Sequence, residues 1–172
     1  MNGARRGSVV DVSQNDMITS NPLKAFDIAI SYASEEAWLA KDLYDLLTPY
    51  GLSVYCFDRM PDESRGFLRE RLSDIYTTSG LNILIWSESY SKAAQDSFPA
   101  MERRFIIYGH VHKGEAASLL PICVDSTVLG TDLDITLVHD LKKSGVVGLE
   151  QLVIERLRAL GERSESARQA RV

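Results

Sequence analysis

Apolar and polar positions alternate in blocks along the 172 residues, and the blocks predict strands and helices in turn. Order is expected to begin at Phe26-Asp27-Ile28-Ala29-Ile30-Ser31, a short strand bounded by turn formers. Ser34-Glu35-Glu36 reads as a helix start, a hydroxyl cap followed by two acids that suit the positive helix end. Leu39, Leu43, Leu46 and Leu47 supply one apolar face of that helix, Trp38 is expected in the core, and Pro49-Tyr50-Gly51 stops the helix. Leu52 to Phe57 is a second expected strand. It leads into a polar loop from Asp58 to Gly66, whose Arg59, Asp62, Glu63 and Arg65 predict a solvated and mobile segment.

In the second half, a helix is predicted from Phe67 to Tyr76 with Phe67, Leu68, Leu72 and Ile75 turned inward. Leu81 to Trp86 is apolar at every position but Asn82, the pattern of a strand covered on both faces in a parallel sheet. A helix follows from Ser97 or Phe98, with Asp96 or Ser97 as its cap and Pro99 tolerated in its first turn. Leu119 to Val124 is a fourth strand, in which Pro121 suggests an edge position or an irregularity. A weaker fifth falls around Ile135 to Leu141. The last helix spans about Gly148 to Leu160, with Leu149, Leu152, Val153, Leu157 and Leu160 on one face. Strands separated by helices, repeated four or five times, imply an α/β fold with a central parallel sheet of about five strands and helices on both faces.

Composition narrows the functions. The chain suits one domain, residues 25–160, between a polar, apolar-poor segment 1–24 expected to be disordered and a charged tail 161–172 expected to be flexible. A formal net charge of -5 argues against nonspecific attraction to nucleic acid. No stretch approaches the ~18 to 20 apolar residues that cross a bilayer, and the N-terminal segment has no apolar signal region, so a cytoplasmic location is expected. Cys56 and Cys123 sit in apolar runs without ligand spacing and read as buried free thiols. His110, His112 and His139 lack a third ligand nearby, so no metal site is expected. A phosphate-binding glycine loop is missing, which leaves ordinary ATPase or dehydrogenase chemistry without support.

The candidate chemistry gathers at expected strand ends. Glu102 falls four positions after Phe98, on the same helix face, just beyond the Leu81–Trp86 strand; open α/β sheets bind small ligands at such places. Its place near the helix start is expected to favour the ionised form at neutral pH, while burial would push the other way. Tyr32, with Ala33 beside it at the carboxyl edge of the sheet, offers an aromatic face to a base. Ser31 and Ser87 end strands with their hydroxyls at the same ligand-binding edge, and Arg59 and Arg65 lie in the polar loop, where they would meet an anionic group or a neighbouring subunit.

The order of these pieces resembles the TIR domain, and more closely its prokaryotic branch. The segment from Phe26 to Glu35 is similar to the family's opening Phe-Asp-hydrophobic-Ser-aromatic stretch and acidic helix start. Ser87-Glu88-Ser89-Tyr90, then Ser97-Phe98, then Glu102 is similar to its Ser-x-x-Tyr, Ser-Trp and Glu pattern. Phe98 stands where the family usually has Trp, which keeps an aromatic plate and loses the indole donor.

The resemblance covers about Ala25 to Leu160 and implies a flavodoxin-like three-layer fold. It also implies an NAD glycohydrolase or cyclase of a Thoeris-like antiphage system, with Glu102 catalytic, Tyr90 and Phe98 lining the site, and NAD as substrate rather than cofactor. Self-association through the loop Asp58 to Gly66, and a separate effector protein that responds to the product, are further implications. The rival that the same resemblance leaves open is a non-catalytic TIR–TIR adaptor module.

Overall fold

The computed structural model describes residues 25–61, 68–113, 118–129, 138–146 and 148–169. The expected disorder of residues 1–24, and Phe67, Arg65 and Gly66, lie outside them. Five parallel strands run through the described chain: β1 (Ile28–Ser31), β2 (Val54–Tyr55), β3 (Leu81–Trp86), β4 (Leu119–Cys123) and β5 (His139–Asp140). Their order across the sheet is β2-β1-β3-β4-β5, so the direction of winding reverses between β1 and β3. The helices are α1 (Ala37–Leu47), α2 (Leu68–Thr78), α3 (Glu88–Ser91), α4 (Phe98–Lys113), α5 (Leu141–Ser144) and α6 (Leu149–Gln169).

Strand periodicity sorts the core into two layers. Ile28 and Ile30 of β1, with Leu81, Ile83 and Ile85 of β3, face one way and bury Leu39, Leu43 and Leu47 of α1 and Leu149 and Val153 of α6. Ala29 of β1, with Leu84 and Trp86 of β3, faces the other way, onto Leu72, Ile75 and Tyr76 of α2 and Ile106 of α4. Helices α2 and α4 pack closely because residue 109 is glycine: a Cβ there would stand 3.4 Å from the Cα of Thr77. At the end of α1, Gly51 takes a positive φ of 75° and donates its amide to the Thr48 carbonyl, a stop that a side chain would strain. Tyr50 donates its hydroxyl to Glu150, which ties that turn to α6.

Several expectations need correction. Trp38 is 53% exposed, because it shares a helical stripe with Asp42 and Asp45, while the inward stripe is Leu39, Ala40, Leu43 and Leu47. Leu46, at 39%, also lies off that stripe. Ser34 caps no helix amide and instead donates its hydroxyl to Glu35. Pro121 lies in an interior strand, and the β5 pairing begins only after it, at Ile122. The last helix continues through Gln169 rather than stopping at Leu160. Cys56 and Cys123 are free and buried. No helix among the described residues is long and apolar enough to cross a membrane.

Ile83, wholly buried in the central strand, touches both α1-side and strand neighbours, so Ile83→Ala should cost about 2–5 kcal/mol. Leu46→Ala, at a part-exposed position, should cost under about 1 kcal/mol. Urea midpoints of the two variants, converted with a common slope, check the contrast.

Candidate functional site

Side chains from three strand ends and one helix meet above the β1–β2 end of the sheet. Strand β1 ends at Ser31, and alternation turns Ser31 to the same face as Ala29, toward α4. Helix α4 opens with Ser97, whose hydroxyl donates to the Ala94 carbonyl and stands 3.5 Å from the Ala100 amide, and carries Pro99 in its first turn, where a missing amide loses nothing. Glu102 and Ile106, four residues apart, occupy its inward face. Glu102 is only 5% exposed and accepts a 2.6 Å hydrogen bond from Ser31 at Oε2. The Tyr90 hydroxyl lies 2.7 Å from Ser31 Oγ on the other side.

The Ser-x-x-Tyr spacing has a local cause. Ser87 follows β3 and caps α3 by accepting the Tyr90 amide at 3.0 Å, so the tyrosine three residues on is held in the first turn and buried against Trp86. Ser87 also bonds Glu36, whose carboxyl burial pushes up, and it does not line the cavity at Glu102.

That cavity, of about 200 Å³, is walled by Tyr32, Ser34, Phe57, Asp58, Phe98, Pro99 and Glu102. Phe57 and Phe98 stack with centroids 6.1 Å apart and planes at 25°, and Phe98 is 41% exposed. The Tyr32 hydroxyl donates to Asp58 Oδ2 and accepts the Asp58 amide, each at 3.1 Å, so the ring forms a fixed wall. Lys41 lies 3.7 Å from the Asp58 carboxylate.

Of the residues expected at a site, Glu102, Tyr32 and Phe98 meet in this cavity. Ser31 and Tyr90 stand behind Glu102 rather than in the opening, because their hydroxyls are spent on each other and on the carboxylate. Ala33 is buried in the core, and Ser87 is a helix cap. Arg59 pairs with Asp45 and lies 5.8 Å over the Tyr44 ring, on the flank of α1. Ser34, Phe57, Asp58 and Pro99 escaped the sequence reading, although Phe57 and Asp58 directly follow a strand end, where ligands gather in such sheets. Tyr76, a core residue of α2 near the carboxyl group, had no sequence signal to separate it from ordinary packing.

Burial drives the Glu102 carboxyl up to about 8, with the hydroxyls of Ser31 and Tyr76 opposing the rise. Of the two opposing influences expected on its charge, burial outweighs the helix start and shifts the group toward the neutral acid. Two physical reasons combine. Glu102 is the fifth residue of α4, beyond the unpaired first-turn amides, and its surroundings exclude water. Burial also raises the phenols of Tyr55, Tyr76 and Tyr90, so these stay neutral over the whole working range.

Among the described residues larger cavities lie elsewhere, of about 550 Å³ at the ends of β4 and β5 and about 300 Å³ between those strands and α6. In the first, Lys143 pairs with Asp140 and Lys142 bonds Ser126, leaving these cations engaged. The second has an apolar floor of Leu120 and Leu152. Among the described residues no group of three or more His, Cys, Asp or Glu side chains is placed to hold a metal ion.

The raised carboxyl has a linkage consequence. A folded-state value of about 8 against an ordinary 4.5 gives stability that is full below the unfolded value and is lost as pH rises through 8. Glu102→Gln removes that titration, so the variant should gain on the parent between pH 5 and 9, by on the order of 3 kcal/mol at the upper end. Thermal melts of both proteins at pH 5, 7 and 9 check it, since every other group, Glu36 included, is common to the pair.

No protein-family profile and no curated protein matches the chain. The solved TIR domain of the Toll-related receptor TRR-2, from the lower metazoan Hydra magnipapillata, superposes with a TM-score of 0.58 at 19% identity. The match covers 77% of this chain and 98% of that one. With its five parallel strands ordered β2-β1-β3-β4-β5 between two helical layers, the chain has the flavodoxin-like fold of a TIR domain.

Proposed function

We propose that the protein cleaves the nicotinamide–ribose bond of NAD, with Glu102 as the residue that steadies the ribosyl cation. The observation that carries this reading is a buried carboxyl group at the floor of a cavity walled by Tyr32, Phe57 and Phe98. Such walls suit a flat cationic ring: π faces attract it, and Asp58 adds a second acid at the rim. The volume falls below the roughly 300–1,000 Å³ of sites that enclose a drug-sized ligand. It fits the nicotinamide–ribose end, with pyrophosphate and adenine lying outward.

The nicotinamide ring of NAD already carries the positive charge. When the bond from C1′ to the ring nitrogen breaks, its electron pair neutralises the ring, so departure needs no proton donor and one of a glycosidase's two carboxylates becomes unnecessary. The remaining task is to stabilise positive charge on the ribose, for which a fixed anion in a water-poor site is suited. Glu102 must first lose its proton. A cation about 4 Å away contributes about 4 kcal/mol at an effective dielectric of 20, or about three pH units, which is enough to ionise a carboxyl poised near 8. Substrate entry thus creates the anion that the reaction uses. Water attack at C1′, with loss of a proton to solvent, gives ADP-ribose; attack by an adenine nitrogen gives a cyclic product.

The rest of this reading follows from the resemblance: a cytoplasmic enzyme of antiphage defence, self-association through the loop Asp58 to Gly66, and a separate effector that senses the product. Residues 62–67 of that loop lie outside the described structure. A second reading, a non-catalytic TIR–TIR association module, is favoured by the receptor origin of the Hydra domain.

Incubation with NAD and mass spectrometry of the products separates the two. Nicotinamide should appear together with ADP-ribose or a cyclic isomer, and Glu102→Gln should lower kcat at least about 100-fold with the fold intact. No release of nicotinamide by the parent protein would remove the enzymatic reading, and unchanged turnover in the variant would remove Glu102 from the chemistry.

A further inference from the structure

We infer that Ser31 and Tyr90 are positioning residues for Glu102: their hydroxyls form a chain that holds carboxylate oxygen Oε2 and leaves Oε1 for the substrate. The inference rests on the proposed NAD-cleaving role of the same site. Ser31 and Tyr90 are both fully buried, and neither lines the cavity, so direct contact with substrate is not their part.

Once Glu102 is ionised its carboxylate can only accept, and proton counting then fixes the direction of the chain. A serine hydroxyl has one proton, and Ser31 gives it to Glu102 Oε2 at 2.6 Å. Toward Tyr90, at 2.7 Å, Ser31 can then only accept, so the phenol donates to it. A serine that receives such a bond is a better donor in turn, and its rotor is locked. Tyr76 is a weaker supporter, because its proton already goes to the Ile30 carbonyl at 3.1 Å and Glu102 has only a share of it.

In the ionised carboxylate Oε2 is held by the serine donor, which leaves Oε1 as the oxygen that meets the substrate. The arrangement aims the new charge, and among the described residues no basic side chain pairs with the carboxylate. The groups that face Glu102 are Ser31 from β1, Tyr55 from β2, Tyr76 from α2 and Tyr90 from α3, with Asp58 at the cavity rim. Arg71 and Arg103 lower the phenols of Tyr55 and Tyr90, and neither is among the causes that shift Glu102. All the facing phenols stay protonated far above neutrality, so a titration near pH 8 reports Glu102 itself.

The test uses the full chain and three variants, Ser31→Ala, Ser31→Thr and Tyr90→Phe. Carbon-13 NMR of glutamate labelled at the side-chain carboxyl follows the Glu102 titration without substrate, and kcat/KM against pH follows it through NAD turnover. Losing a charge-assisted donor in a buried site should raise the Glu102 midpoint by about one to two pH units in Ser31→Ala. Tyr90→Phe should shift it the same way by less, and Ser31→Thr, which keeps the hydroxyl, should restore it. The acid limb of kcat/KM should move in parallel, with kcat falling about tenfold or more and KM little changed.

A wild-type midpoint in both Ser31→Ala and Tyr90→Phe would overturn the inference, as would a raised KM with kcat intact. Tyr90→Phe and Ser31→Thr decide the matter if Ser31→Ala does not fold. Should the parent protein leave NAD untouched, the proposed function falls, while the carboxyl titration still settles the positioning role.

Discussion

The hydrogen bond from Ser31 to Glu102 crosses the seam between sheet and helix, and it exists because β1 shows its side chains to opposite faces in turn. Ile28 and Ile30 point toward α1 and α6, and that commitment sends Ala29 and Ser31 toward α2 and α4. A one-residue slip of the strand would bury a serine hydroxyl among leucines and turn isoleucine toward the carboxyl group. Core and site are thus held by the same register. Parallel pairing with both β2 and β3 keeps it, since Ile28 is matched at once to Val54 and Leu81.

Burying an acid is expensive, and the protein meets that cost by leaving the proton on. The hydroxyls of Ser31 and Tyr76 oppose the rise at Glu102, yet desolvation still wins. The gain is a group whose charge depends on what sits in the cavity. In an open site the same glutamate would be ionised always, solvated, and a weak partner for a ribosyl cation. Stability and reactivity therefore pull against each other at one residue, as strained functional groups generally do.

How much of this could be read beforehand depended on whether a local rule applied. Leu81 to Trp86 matched its strand to the residue, because six nearly unbroken apolar positions between a glycine and a polar run admit few other readings. Glu102 and Tyr32 were reachable from position, since strand ends and the helices after them crowd together in this architecture, and Phe98 came from the family resemblance. The roles of Ser31 and Tyr90 were not, because a hydroxyl chooses its partner from neighbours 59 and 71 residues away in the chain. The balance of charge at Glu102 was out of reach for a similar reason: helix position and burial pull in opposite directions, and the extent of burial is set by the packed neighbours. Trp38 was placed inside on its apolar character, whereas helical phase set it beside two aspartates.

The rims of the sheet bear on how copies of this chain could meet. Val54–Tyr55 and His139–Asp140 close its two sides, each only two residues long. A visiting strand laid along either rim would find a ladder of one or two bonds, too few to offset the entropy of docking. Neighbours that assemble on this molecule must therefore grip side chains on helices and loops, and chemistry written on those surfaces, rather than backbone complementarity, selects who binds.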